Sequence, residues 1–209
     1  MKQIDILGKL FGSNARVKLL KFFLLNDETA YALDDISKLL RVAGPVLRPE
    51  LKLLITLGFI KTRNVTQVIV GKRKTTKKKV VGYIALKNFP LIDPLRNLIV
   101  ETGGIRLVDI APRLASAGKI TLFIASGIFM KDPERMADLI IVGDKLEKSV
   151  LESEIGKLES EIGRELRYAL FDSEEFLYRL KMYDKLIRDI LDYPHEKIIN
   201  KLSHPDLVG

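Results

Sequence analysis

Gly71-Lys72-Arg73-Lys74-Thr75-Thr76-Lys77-Lys78-Lys79 carries six positive charges in nine residues and no acid. Apolar alternating runs flank it, with Val65 to Val70 leading in and Val80 to Leu86 leading out. This pattern predicts a β-hairpin whose basic tip stands in solvent. A lysine-rich loop that only keeps the chain soluble would look the same locally. The wider distribution of charge separates the two readings. Residues 1–119 hold 22 basic and 9 acidic residues, net +13, while residues 120–209 hold 13 and 18, net −5. The overall +8 therefore belongs to the half that contains the hairpin, and a nucleic-acid backbone is the natural partner for it.

Upstream of the hairpin the pattern is helical. Ser13-Asn14 can cap a helix over Ala15 to Leu25, with Val17, Leu20, Phe23 and Leu24 recurring on one stripe. Tyr31 to Leu40 predicts a second short helix with Leu33, Ile36, Leu39 and Leu40 inward and Asp34 and Asp35 in its first turn. Arg41-Val42-Ala43-Gly44-Pro45 reads as a turn with proline at a helix start. The helix that follows runs to Leu57 and has Pro49 in its first turn, where proline is tolerated. Gly58 closes it, and Phe59 to Arg63 begins a strand.

This ordered set resembles the winged helix-turn-helix of small prokaryotic transcription regulators. Leu33-Asp34-Asp35-Ile36-Ser37-Lys38-Leu39-Leu40 matches the first helix of the motif, Gly44 to Leu57 the recognition helix, and Leu57-Gly58-Phe59-Ile60 the exit into the wing. The resemblance implies that the recognition helix enters the major groove while the wing reaches a neighbouring phosphate or the minor groove. Arg48 is then the candidate for a base edge, with Arg41 and Lys52 on phosphates. Val46 or Leu47 is the candidate apolar contact to a thymine methyl, since sequence leaves the rotation of the helix open. Lys72, Arg73, Lys74, Lys77, Lys78 and Lys79 are the wing contacts.

Asn88 to Thr102 predicts a connecting helix with Pro94 in its first turn, and Ile105 to Ala117 a second helical segment. Beyond it, Lys119 to Gly127 and Asp138 to Asp144 read as buried strands, separated by a polar loop at Met130 to Arg135. Lys145 to Ile162 reads as an amphipathic helix and Arg164 to Phe171 as a third strand. A further helix begins at Ser173, with Glu174 and Glu175 in its first turn. The fold class expected is α+β, with domains at 1–88, 89–118 (a helical linker) and 119–209.

The last of these is similar to a small nucleotidyltransferase-type domain. It is carried by Ala125-Ser126, the loop, Asp138 to Asp144, and Ile162-Gly163-Arg164-Glu165-Leu166-Arg167-Tyr168 with Ser173-Glu174-Glu175-Phe176. Active members pair a Gly-Ser turn with Asp-x-Asp and a further Asp on a later strand, which together hold two divalent metals. Here Ala125-Ser126 stands for Gly-Ser, Met136 falls at the first Asp position, Asp138 survives at the second, and Arg167 stands on the strand of the third. A thioether is a poor Mg²⁺ ligand and a guanidinium repels the metal. The resemblance thus implies a silent domain with Ser126 and Asp138 as vestiges, no metal and no cofactor. Asp132 or Glu134 swinging in from the loop would be the route to activity.

The chain contains no Cys, and its two histidines, His195 and His204, fit no compact ligand spacing. No secretory core or membrane-length apolar run is present, so a cytoplasmic protein is expected. The expected partner is double-stranded DNA, bound by a homodimer, with an unknown ligand or protein at the C-terminal domain and no membrane. Two other classes stay open: a Mg-dependent nucleotidyltransferase acting on a protein or small molecule, and an RNA- or protein-binding adaptor.

Overall fold

A computed structural model describes residues 3–70, 75–101 and 106–207. The protein is a mixed α+β chain with two sheets. It divides into two compact units, Met1–Gly104 with Lys157–Glu165, and Ile105–Gly156 with Leu166–Gly209. The expected linker, 89–118, is shared between them.

In the first unit, α1 (Gln3–Phe11) precedes α2 (Asn14–Leu25). The Ser13 hydroxyl caps α2 by accepting from the Arg16 amide at 3.2 Å. The expected stripe on α2 is too narrow: Leu19, Phe22 and even Lys21 are buried as well as Val17, Leu20, Phe23 and Leu24. A helix buried on most sides is enclosed by its neighbours, and α2 packs against α1, α3 and α4.

Tyr31–Ala32 is a short strand, β1, rather than the first turn of a helix, because it pairs with Tyr83 and Gly82. Helix α3 (Leu33–Leu40) buries Ile36 and Leu40 against the core. The turn 41–43 leads into α4 (Gly44–Thr56), which buries Leu47, Leu51 and Leu54 at helical spacing. Pro49 lies in the second turn of α4, later than expected, because the helix already begins at Gly44. The end of α4 is a Schellman motif. Gly58 (φ +74) donates to the Ile55 carbonyl at 2.9 Å and Phe59 to Leu54 at 3.0 Å, and the Leu54 and Phe59 side chains are both buried.

Strands β2 (Ile60–Val70) and β3 (Thr75–Ala85) form the hairpin, paired without a bulge from Ile60↔Ala85 to Val70↔Thr75. The sheet order is β1-β3-β2. Gly82 is required within β3, since a Cβ there would lie 2.8 Å from Cγ1 of Val65. The expected connecting helix is shorter and split into α5 (Ile92–Arg96) and a π-helical turn, Asn97–Glu101, that buries Ile99. Pro90 disfavours helix at Phe89 and so delays the start.

The second unit begins with α6 (Leu107–Leu114) and a 3₁₀ turn. Strands β4 (Ile120–Ala125) and β5 (Leu139–Gly143) pair antiparallel, with every residue of β5 buried. Helix α7 (Lys148–Ile162), whose residues from Lys157 onward belong to the first unit, starts later than expected because Lys145 adopts a left-handed turn conformation, φ +57. Strand β6 (Tyr168–Phe171) is parallel to β5. Helix α8 (Ser173–Lys181) is capped by Asp172, whose carboxylate accepts from the Glu175 amide at 2.7 Å. Helix α9 (Lys185–Leu191) precedes β7 (Glu196–Asn200), an unforeseen strand that pairs antiparallel with β4. The sheet order is β6-β5-β4-β7. Among the described residues no helix is long and apolar enough to cross a membrane.

Candidate functional site

The rotation of α4 follows from its buried residues. With Leu47, Leu51 and Leu54 inward, the outward stripe is Pro45, Arg48, Pro49, Lys52 and Thr56. Val46 is 51% exposed and Leu47 is 0%, so of these two candidates Val46 is the one open to solvent. Arg48 and Lys52 are one turn apart on the same face.

Arg41 is exposed and lies at the C-terminus of α3 in the left-handed region, φ 51, ψ 44. Its amide donates towards the Lys38 and Ser37 carbonyls, and the Ser37 hydroxyl donates to the Val42 carbonyl at 2.7 Å. The turn is therefore bonded from both sides, and the Arg41 side chain projects from a fixed backbone. Beneath it, Lys18 and Lys21 of α2 are pulled below the ordinary lysine value of 10.5, chiefly by burial. Glu161 opposes the shift in both, and Arg41 adds to it in Lys18.

Lys77, Lys78 and Lys79 are exposed on β3, opposite Val68, Gln67 and Thr66. They belong to the body of the strand rather than to its tip. Gln67 Nε2 reaches Asp35 Oδ1 at 3.4 Å, which ties the hairpin to α3. Lys72, Arg73 and Lys74 lie outside the described residues. Sequence reading passed over Lys61 and Arg63, which are exposed on β2 of the same hairpin. The signal was there, in the alternation of basic residues along a strand that forms the sheet edge.

The second unit holds the other predicted cluster. Asp138, 1% exposed, precedes β5, and its carboxylate accepts from the Ile128 amide at 3.0 Å and the Arg167 amide at 2.9 Å. The Arg167 guanidinium adds bonds from Nη2 to Oδ1 at 3.1 Å and from Nε to Oδ2 at 3.3 Å. Gly127 (φ +54) permits this close packing, since a Cβ would lie 2.2 Å from Asp138 Oδ1. Ser126 is fully buried beside it, and its hydroxyl has no hydrogen-bond partner among the described residues.

The polar loop is anchored too. Asp132 forms an ion pair with Arg135 at 2.8 Å, outside hydrogen-bond geometry, and Arg135 Nη1 meets Asp189 at 3.1 Å. The amide of Met136 donates to Asp189 at 2.8 Å, its side chain is 45% exposed, and Arg167 Nη2 donates to the Pro133 carbonyl at 2.9 Å. Ser126, Asp138 and Arg167 are thus brought together, while Asp132 is engaged elsewhere. Among the described residues no three His, Cys, Asp or Glu side chains are grouped so as to hold a metal ion.

No protein-family model, curated protein or solved structure matches the chain.

Proposed function

We propose that this protein is a DNA-binding transcriptional regulator whose first unit is a winged helix-turn-helix. In this reading α3 and α4 are the helix pair, α4 reads the major groove, and β2 and β3 form the wing. One observation carries it: the outward stripe of α4 offers Arg48 and Lys52, with Val46 exposed on the opposite flank of its first turn, directly after the exposed Arg41 and in the same compact unit as the Lys77–Lys79 strand. A forked donor, a cation for phosphate and an apolar tip for a thymine methyl make a base-reading set, and exposed strand lysines supply the sequence-independent attraction. The chain acts as a homodimer, because two half-sites one helical turn apart supply affinity that a single recognition helix lacks.

The second unit, in this reading, is a nucleotidyltransferase-like domain that has lost catalysis and serves dimerisation, ligand sensing or partner docking. The support is chemical. The carboxylate at Asp138 is sealed by two backbone amides and a guanidinium, which leaves it little capacity to bind Mg²⁺.

The test is duplex affinity measured against salt. Each neutralised phosphate contributes roughly −0.9 to the log–log slope. Replacing Lys72, Arg73, Lys74, Lys77, Lys78 and Lys79 with Gln is expected to flatten that slope. An unchanged slope rejects the wing, and equal affinity for single-stranded RNA rejects duplex DNA as the target.

A further inference from the structure

The Leu40 carbonyl ends α3 and shares its peptide plane with Arg41. It accepts two side-chain hydrogen bonds, from Lys18 Nζ at 2.9 Å and from Ser160 Oγ at 2.6 Å. Lys18 Nζ also donates to Ser160 Oγ, which closes a three-membered network. Ser160 is 3% exposed and belongs to Lys157–Glu165, the late segment of sequence that is part of the first unit. The segment is seated further by Asn26 Nδ2 on the Gly163 carbonyl at 2.8 Å. A Cβ at Gly163 would come within 3.0 Å of the Phe22 backbone nitrogen.

The network acts on a peptide plane that has reason to turn. Arg41 sits at φ 51, a region disfavoured for any side chain. Rotation of the Leu40–Arg41 plane would relieve it and would also swing the Leu40 oxygen away from both donors. The two hydrogen bonds therefore oppose the motion that would release the turn, and a buried carbonyl stripped of its donors is costly.

We infer that Ser160, with Lys18, is a positioning residue for nucleic-acid contact: it locks the Leu40–Arg41 peptide so that Arg41 and the start of α4 form one rigid edge. The inference rests on the DNA-binding reading above. It gives a helix end 120 residues distant in sequence a part in presenting the groove-reading surface.

The experiment uses the full chain with Ser160→Ala and Ser160→Thr, read by amide hydrogen exchange and by duplex binding against salt. Ser160→Ala is expected to speed exchange at Arg41 and Val42 about tenfold while the α2 amides stay protected. It should also weaken duplex binding about tenfold and reduce the salt slope by about one. Ser160→Thr, which keeps the hydroxyl, should retain both properties. In an Arg41→Gly background Ser160→Ala should cost clearly less affinity than in the parent, because one of the groups it positions is gone. Unchanged exchange at Arg41 and Val42, or an equal loss of affinity in both backgrounds, overturns the inference. If the wild-type chain shows no salt-dependent duplex binding, the DNA-binding reading fails by itself, and the exchange comparison alone decides whether Ser160 locks the turn.

Discussion

Arg167 places Nη2 at 3.1 Å and Nε at 3.3 Å from the two oxygens of Asp138, while its own backbone amide donates to the same carboxylate at 2.9 Å. One residue thus supplies three of the four hydrogen bonds that let a carboxylate sit 1% exposed beside the strand β5. The arrangement makes the Asp138 carboxylate a structural joint between the loop before β5 and the segment before β6. Its guanidinium is 44% exposed, so the two partners are unequal in what their loss would cost.

Asp138→Ala removes the acceptor and strands the Ile128 and Arg167 amides, a buried loss of about 3–5 kcal/mol. Arg167→Ala leaves both amides on the carboxylate and opens one side to water, at about 1–2 kcal/mol. Urea unfolding is expected to rank Asp138→Ala well below Arg167→Ala in midpoint. Equal midpoints would show that the guanidinium, rather than the amides, holds the carboxylate.

Two glycines separate backbone strain from steric exclusion. Gly58 has φ +74 and nothing within 4 Å of a built Cβ, so Gly58→Ala should cost about 1–2 kcal/mol from conformation alone. Gly127 has φ +54, and its Cβ would strike Asp138 Oδ1. Gly127→Ala should therefore exceed Gly58→Ala in thermal destabilisation by about 1–3 kcal/mol, the range for forced overpacking. Similar shifts for both would mean that Asp138 moves aside freely.

What could be read in the sequence was what is written locally. Ser13 before an apolar run and Gly58 before Phe59 state their caps within a few residues, and both helix ends fall where they indicate. The basic stretch flagged a hairpin because the alternation persists on both sides of it. β7 was missed because Glu196–Asn200 has only two apolar residues and becomes a strand by pairing with β4. Tyr31–Ala32 reads as part of a helix in the sequence because two residues carry no periodicity of their own. Asp138 and Arg167 were each noticed, but their bond depends on the parallel register of β5 and β6. Ser160 is one serine of a polar helix face until α2 and α3 are packed against it.

Under the DNA-binding reading proposed above, Arg41 allows function to be separated from stability. Arg41→Gly removes a left-handed conformation disfavoured by about 1–2 kcal/mol and adds unfolded-chain entropy of about 0.5–1 kcal/mol. The variant is expected to be as stable as the parent, or up to about 1 kcal/mol more so, in thermal unfolding. Its duplex affinity should nonetheless fall, with the salt slope reduced by about one. A variant that binds as well as the parent would remove Arg41 from the interface.

Lys21 gives a pH dependence whose sign is fixed by its surroundings. Its residue is 5% exposed, and burial lowers its pKa from 10.5 more than Glu161 raises it. Below the folded-state value the ammonium is charged in both folded and unfolded chains, and the cost of burying it is carried in full. Between that value and 10.5 the unfolded chain binds the extra proton, so raising pH through this window stabilises the fold. Lys21→Met removes the titration while keeping the length of the buried stem. The difference in Tm, wild type minus Lys21→Met, is expected to rise as pH is taken from neutrality to 10.5, and Lys18 should add a rise of the same sign in its own variant pair. A flat or falling difference would mean that the ammonium at position 21 is stabilised where it lies, and that the end of α2 is held by charge rather than by packing.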